Sequence, residues 1–163
     1  MYAVCAFVFI GLSGLLLHSL IIGPGGRGSL KRFYALFGVA FTVYAVAWIA
    51  AWMLLRGHTG GVVGLFAGTT AMGCVLAHAF AARGMIAIIK IIVALFVLNA
   101  LGYFGGGWIE GSVSHLNALS FLGTARMTLA QLLWGVFYGI GFGAGLGYAF
   151  HTCQARIRDL LRI

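Results

Sequence analysis

The chain has 163 residues, of which 63% are hydrophobic and only 7% are charged, and its net charge is +8. Soluble globular domains contain roughly 45–50% apolar and about 25% charged residues, so this composition excludes a chain whose surface faces water. The apolar stretches are long and show no alternation of period two, which excludes a transmembrane β-barrel and predicts an all-α, polytopic transmembrane helix bundle.

The first predicted span covers residues 2–22, about the 20 residues needed to cross a hydrocarbon core of roughly 30 Å. No basic stretch precedes it and no A-x-A-like cleavage site follows it, so we expect a retained span rather than a signal peptide. The next segment, GPGGRGSLKR, combines glycine, proline and cations and predicts a loop. The second predicted span covers residues 33–55 and ends at RGHTGG.

Residues 62–104 are almost continuously apolar and would form a helix of about 60 Å, which is longer than any bilayer is thick. The only charge beside a glycine in this stretch lies in Ala82-Arg83-Gly84. We therefore predict a third span over residues 62–81 and a fourth over residues 85–104, joined by a tight turn.

Residues 105–127 are more polar, and we expect an outer loop that either carries a short interfacial helix or dips back into the bilayer. The fifth predicted span covers residues 128–150. Residues 1–150 thus form one bundle, and residues 151–163 are predicted to be a short basic amphipathic tail on the cytoplasmic surface. That face would attract anionic lipid headgroups, which explains the positive charge without a nucleic-acid partner.

The positions of the cations predict the orientation, because lysine and arginine concentrate on the cytoplasmic side of a membrane. With five spans and the N-terminus outside, eight of the ten cations lie inside, and only Arg56 and Arg126 lie outside. The eight are Arg27, Lys31, Arg32, Arg83, Lys90, Arg156, Arg158 and Arg162. We expect a multi-pass protein of a cell membrane, the inner one where there are two.

Span five carries the most regular pattern in the chain, with glycine at every fourth position: Gly135, Gly139, Gly143 and Gly147. Each costs about 1 kcal/mol of helix propensity relative to alanine in water, whereas small residues spaced by four let membrane helices approach closely. Gly64 and Gly68 repeat the pattern weakly in span three. We predict helix packing at these six glycines, either of span five against span three, or between copies of the chain, or along a pore.

Three histidines, His18, His78 and His151, lie near the inner ends of spans one, three and five. They are either interfacial residues or ligands of a metal, a haem or a pigment. Lys90 is the one charge inside a predicted span, where it either extends to the headgroups or attracts an anion. Asn99 and Gln131 lie in the outer halves of spans four and five, and one interpretation is that they form an interhelical hydrogen bond with each other.

The sequence contains no nucleophile beside a base, no HExxH, no phosphate loop and no paired carboxylates. We therefore expect a non-enzymatic membrane protein without a bound cofactor, a small assembly subunit that packs or self-associates through the span-five glycines. Two alternatives stay open: a small oligomeric channel or carrier for a neutral or anionic solute, and a histidine-ligated haem or pigment subunit. We expect the protein to form a homo-oligomer or to be a subunit of a larger complex with other membrane proteins.

Overall fold

The computed structural model describes residues 2–23, 26–27, 30–82, 84–116, 123–155 and 159–160, and side chains from residue 10 onward, except those of residues 22–23 and 26–27. Helix α1 spans Tyr2–Leu17 and is followed by a 3₁₀ turn, His18–Leu20. Two short strands, β1 (Ile22–Gly23) and β2 (Gly26–Arg27), then pair antiparallel. The remaining helices are α2 (Leu30–Leu55), α3 (Gly57–Ala79), α4 (Met85–His115) and α5 (Thr124–Cys153).

The described residues form a helical bundle in which α2, α3, α4 and α5 are long and apolar enough to cross a membrane. These lengths and compositions are those of an integral, multi-pass membrane protein. Helix α1 has 16 residues, about 24 Å at 1.5 Å per residue, which is shorter than a hydrocarbon core of about 30 Å. A fifth crossing and the predicted orientation therefore stay predictions.

The break predicted near residues 82–84 is confirmed, because α3 ends at Ala79 and α4 begins at Met85. Ala82 and Gly84 lie between the two helices, whereas Arg83 lies outside the described residues, as do Arg156, Arg158 and Arg162 of the predicted tail.

The turn between α2 and α3 is much tighter than the RGHTGG loop that the sequence suggested. Arg56 is the only residue between the two helices, and it has a φ of 53° and a ψ of 171°. This backbone region is almost restricted to glycine. Gly57, which follows with a φ of 56°, is the residue type that adopts positive φ without strain. Two consecutive positive-φ residues reverse the chain at once.

Helices α4 and α5 extend well into the predicted outer loop, since α4 ends at His115 rather than Phe104 and α5 begins at Thr124 rather than Thr128. The three glycines after Phe104 do not end α4. One of them, Gly106, packs so closely on α5 that an added methyl group would lie 2.9 Å from the carbonyl oxygen of Trp134. Residues 117–122, the middle of the predicted loop, lie outside the described residues.

The bundle consists of two tightly packed hairpins, α2 with α3 and α4 with α5, and the contact between α3 and α4 is less extensive. Glycines allow the close approach in both hairpins. In the first hairpin, each of three glycines in α3 faces one aromatic residue of α2: Gly60 faces Trp52, Gly64 faces Trp48 and Gly68 faces Tyr44. Such contacts replace the hydrophobic effect, which does not hold helices together in lipid.

In the second hairpin, two backbones meet almost directly. A methyl group added at Gly102 of α4 would lie 2.9 Å from the carbonyl oxygen of Phe137 and 3.1 Å from the Cα of Gly141. One added at Gly141 would collide with the carbonyl oxygen of Leu98. The main partner of α5 within the chain is therefore α4 and not α3, the partner named in the first of the three alternatives.

Aromatic rings fill the space between the two hairpins. Phe33 of α2 lies 5.6 Å from Phe150 of α5 between ring centroids, and Phe41 lies 5.9 Å from Phe142. Tyr44 lies 5.5 Å from Phe142. This aromatic seam, formed by Phe33, Phe41 and Tyr44 of α2 with Phe142 and Phe150 of α5, is the core of the bundle.

Polar contacts attach α1 to the rest of the bundle at two places. The hydroxyl of Tyr34 donates to the carbonyl oxygen of Gly11 over 2.9 Å. The fully buried side chain of Gln154 donates to the carbonyl oxygens of Leu20, at 2.8 Å, and Phe150, at 3.0 Å. These bonds hold α1 against α2 and the C-terminal end of α5.

We predict that Gly102→Ala lowers the free energy of unfolding by about 1–3 kcal/mol, the usual cost of overpacking, because all three nearest atoms belong to the rigid backbone of α5. Gly105→Ala is the matched control in the same helix, since nothing lies within 4 Å of an added methyl group there. Thermal unfolding of both variants in the same detergent checks this. Equal stability of the two variants would contradict the close packing of α4 on α5.

Candidate functional site

The glycine face predicted in span five lies on the side of α5 that looks toward α1. Methyl groups added at Gly135 or Gly143 would meet no atom within 4 Å. One added at Gly147 would have a single ordinary contact, at 3.9 Å, with Leu20. Among the described residues, Gly135 and Gly143 are therefore not used for close packing, and their packing role stays a prediction.

A groove runs along this glycine face, with a volume of about 370 Å³. Its floor includes Gly135, Gly139 and Gly143, and one wall consists of Leu12 and Leu16 of α1. The other wall includes Val136 and Ile140, whose side chains are 55% and 65% exposed. We call this feature the α1–α5 groove. It is many times larger than the ~30 Å³ that a water molecule occupies in the liquid, and its lining is almost entirely apolar.

The other glycines of α5 form a second face, and this face carries the packing within the chain. Gly141 and Gly145 contact α4, where Gly102 and Gly106 have the same spacing of four. Sequence reasoning noticed the spacing of four in spans five and three but missed the partner pair in α4. Gly64 and Gly68, the weaker pair, lie against Trp48 and Tyr44 of α2.

A polar cluster lies between the hairpins, and we call it the polar centre: Tyr44 of α2, Asn99 of α4 and Tyr138 of α5. The side-chain amide of Asn99 donates to the hydroxyl of Tyr44 over 3.0 Å. The two tyrosine hydroxyls hydrogen-bond each other over 3.0 Å. The pairing predicted for Asn99 with Gln131 is thus wrong. In antiparallel α4 and α5, Gly102 lies opposite Gly141, which puts Gln131 far from the level of Asn99.

The polar centre is incompletely satisfied. Asn99 is fully buried, and its carboxamide oxygen has no hydrogen-bond partner among the described residues. The indole nitrogen of Trp48, one helical turn from Tyr44 on α2, is also buried without a partner in the described part of the chain. Buried polar atoms are almost always paired in native proteins, so these two identify a place where a further group is expected.

Sequence reasoning missed Tyr44 and Tyr138 because tyrosines in apolar spans resemble other aromatic residues in hydropathy. The available signal was their position near the middle of the long apolar helices α2 and α5, away from the interfaces where tyrosine is enriched.

The three candidate histidines lie in different local environments. The Nδ1–H of His18 donates to the carbonyl oxygens of Gly14, at 2.8 Å, and Leu15, at 3.0 Å, within its own helical segment. His78 is exposed on α3, and His151 is exposed near the C-terminal end of α5. Among the described residues, no group of three His, Cys, Asp or Glu side chains is placed to hold a metal ion, so these histidines do not form such a group.

Lys90 is exposed on α4, one residue before the fully buried Ile91. Its side chain thus lies on the outer side of the bundle, and its anion-attracting role stays a prediction.

No protein-family model, curated protein or solved structure matches this chain.

We predict that Tyr44 and Tyr138 are energetically coupled by their hydrogen bond. In a double-mutant cycle of Tyr44→Phe and Tyr138→Phe, we expect a coupling energy of about 0.6 kcal/mol, the average for hydrogen bonds between membrane helices. Unfolding in mixed detergent micelles measures it. Tyr148→Phe, at a site that is 42% exposed, is the control and should change stability little. A coupling energy of zero would mean that the two hydroxyls do not bond.

Proposed function

We propose that this protein is a non-enzymatic membrane assembly subunit that binds a second copy of itself through the α1–α5 groove. The observation that supports this most directly is the pair of glycines, Gly135 and Gly143, that contact nothing within 4 Å in the described structure. Glycine lowers helix propensity by about 1 kcal/mol relative to alanine in water. A face of such residues is therefore explained best by a helix that approaches it from outside the chain.

The residues beside the glycines suit a second copy. Val136 and Ile140 directly follow Gly135 and Gly139, and both are largely exposed. β-branched side chains keep one preferred rotamer in a helix, so they form a rigid ridge and lose little entropy on association. Each copy thus presents both a ridge and a groove. A two-fold axis along the membrane normal would place the ridge of one α5 in the groove of the other.

Lipid does not drive helices together by the hydrophobic effect, so association in a membrane requires close van der Waals contact. The α4–α5 hairpin already uses this principle within the chain, where Gly102 meets Gly141. The proposal extends the same mode of packing to the opposite face of α5.

The proposed role requires no catalytic group and no cofactor, in keeping with the absence of catalytic motifs from the sequence. We place the protein in a cell membrane, the inner one where there are two, with its cationic ends against the anionic headgroups of the cytoplasmic leaflet. The described contacts of Lys90, His18 and His78 add no support to the solute-channel or cofactor-binding alternatives.

We predict that Gly143→Leu weakens self-association at least about tenfold, equivalent to 1.4 kcal/mol, because leucine would fill the groove, and its Cβ would meet no described atom within 4 Å. Gly38→Leu is the matched control, since Gly38 is an exposed glycine of α2 with nothing within 4 Å of an added methyl group. Energy transfer between donor- and acceptor-labelled copies in vesicles, titrated by lipid dilution, measures the dissociation constant.

Thermal unfolding of the same two variants separates assembly from folding, and we expect both to unfold near the wild-type temperature under monomeric conditions. The proposal is wrong if the wild-type chain shows no energy transfer at any dilution. It is equally wrong if Gly143→Leu and Gly38→Leu associate alike.

A further inference from the structure

The hydrogen bonds of the polar centre can be counted atom by atom. Tyr44 and Tyr138 together have two phenolic protons, and the bond between their hydroxyls uses one of them. The hydroxyl of Tyr44 also accepts a hydrogen bond from the side-chain amide of Asn99. One phenolic proton, the second amide proton of Asn99 and the carboxamide oxygen of Asn99 are left over, and the described residues provide no partner for that oxygen.

The leftover donor and acceptor lie close together, because all three side chains belong to one hydrogen-bonded cluster. Asn99 is 0% exposed and Tyr44 is 4% exposed in the protein alone, whereas Tyr138 is half-buried. Within a bilayer, lipid chains cannot supply a hydrogen bond, so each unpaired group is strongly unfavourable. A molecule that accepts one hydrogen bond and donates one would satisfy both groups at once.

We infer that the polar centre is a binding site for one small uncharged molecule, which donates a hydrogen bond to the carboxamide oxygen of Asn99 and accepts one from a phenolic hydroxyl of Tyr44 or Tyr138. Water and a small amide or alcohol share this chemistry. The inference does not depend on self-association, because the site lies between α2, α4 and α5, away from the α1–α5 groove.

The ligand is uncharged because no charge is near enough to compensate a charged one. The nearest charged residues along α4 are Lys90 and Glu110, which lie nine and eleven positions from Asn99. At 1.5 Å per residue these are separations of about 13 Å and 16 Å along the helix axis. An uncompensated ion in the middle of a bilayer is expensive.

The ligand is small because aromatic rings surround the site closely. The ring centroids of Tyr44 and Phe142 are 5.5 Å apart, and those of Tyr103 and Tyr138 are 6.1 Å apart. These are contact distances for aromatic pairs, so the rings already touch. A water molecule or a solute with few heavy atoms is therefore the size of ligand that we expect the site to take.

The test uses the side-chain amide of Asn99 as a reporter, in the full-length protein in nanodiscs with ¹⁵N-labelled asparagine. The chain has two asparagines, so an Asn117→Ser variant leaves the Asn99 signal alone. Water-edited solid-state NMR measures magnetisation transfer from water to this amide. A second arm adds formamide as a probe and follows the chemical shift of the same amide.

We expect either rapid transfer from water or a saturable shift with formamide, and these two results distinguish the source of the ligand. The signature should be lost in the double variant Tyr44→Phe, Tyr138→Phe, which removes both phenolic protons, and should persist in Tyr148→Phe. Circular dichroism verifies that both variants fold. The inference is overturned if the Asn99 amide responds to neither water nor formamide, or if its response survives loss of both phenols.

Discussion

Close backbone contact through glycine is the constraint on which the rest of this bundle depends. Lipid offers no hydrophobic gain when two membrane helices meet, so their contact must come from van der Waals packing at short range. Gly102 and Gly141 provide it in the α4–α5 hairpin, and Gly64 against Trp48 provides it in the α2–α3 hairpin. The protein is therefore best described as two rigid hairpins, each held together by its own glycine contacts. Its other features follow from how these two units meet.

Between α2 and α5 the hairpins meet through large side chains, and between α3 and α4 Gly73 packs closely against Ile92. The space between the two units holds the rings of the aromatic seam. The polar centre occupies that space, where Asn99 and Tyr44 connect the hairpins by a hydrogen bond. Tyr44 takes part in both kinds of contact, since it faces Gly68 within its own hairpin and bonds Asn99 of the other hairpin.

Much of the architecture was predictable because a helix in lipid must be long and apolar, and the end of α3 and the start of α4 followed from a lone charge beside a glycine. The outer ends of α4 and α5 were not predictable, since Gly106 extends α4 by packing on Trp134. Glycines spaced by four occur on two faces of α5, and the sequence alone does not say which face packs within the chain. The alignment of Gly141 with Gly102 of α4 identifies that face. The polar centre was missed for the same reason, because the partner of Asn99 depends on how three helices are aligned.

The single-residue connection at Arg56 has a consequence for biogenesis. Only one residue separates α2 from α3. No polar segment between them could therefore remain in water after one helix has inserted and before the other inserts. If only one of the two helices inserted, the unpaired backbone groups at its end would also be exposed to lipid. We therefore view α2 and α3 as a unit that enters the bilayer as a preformed hairpin, with Arg56 at its tip.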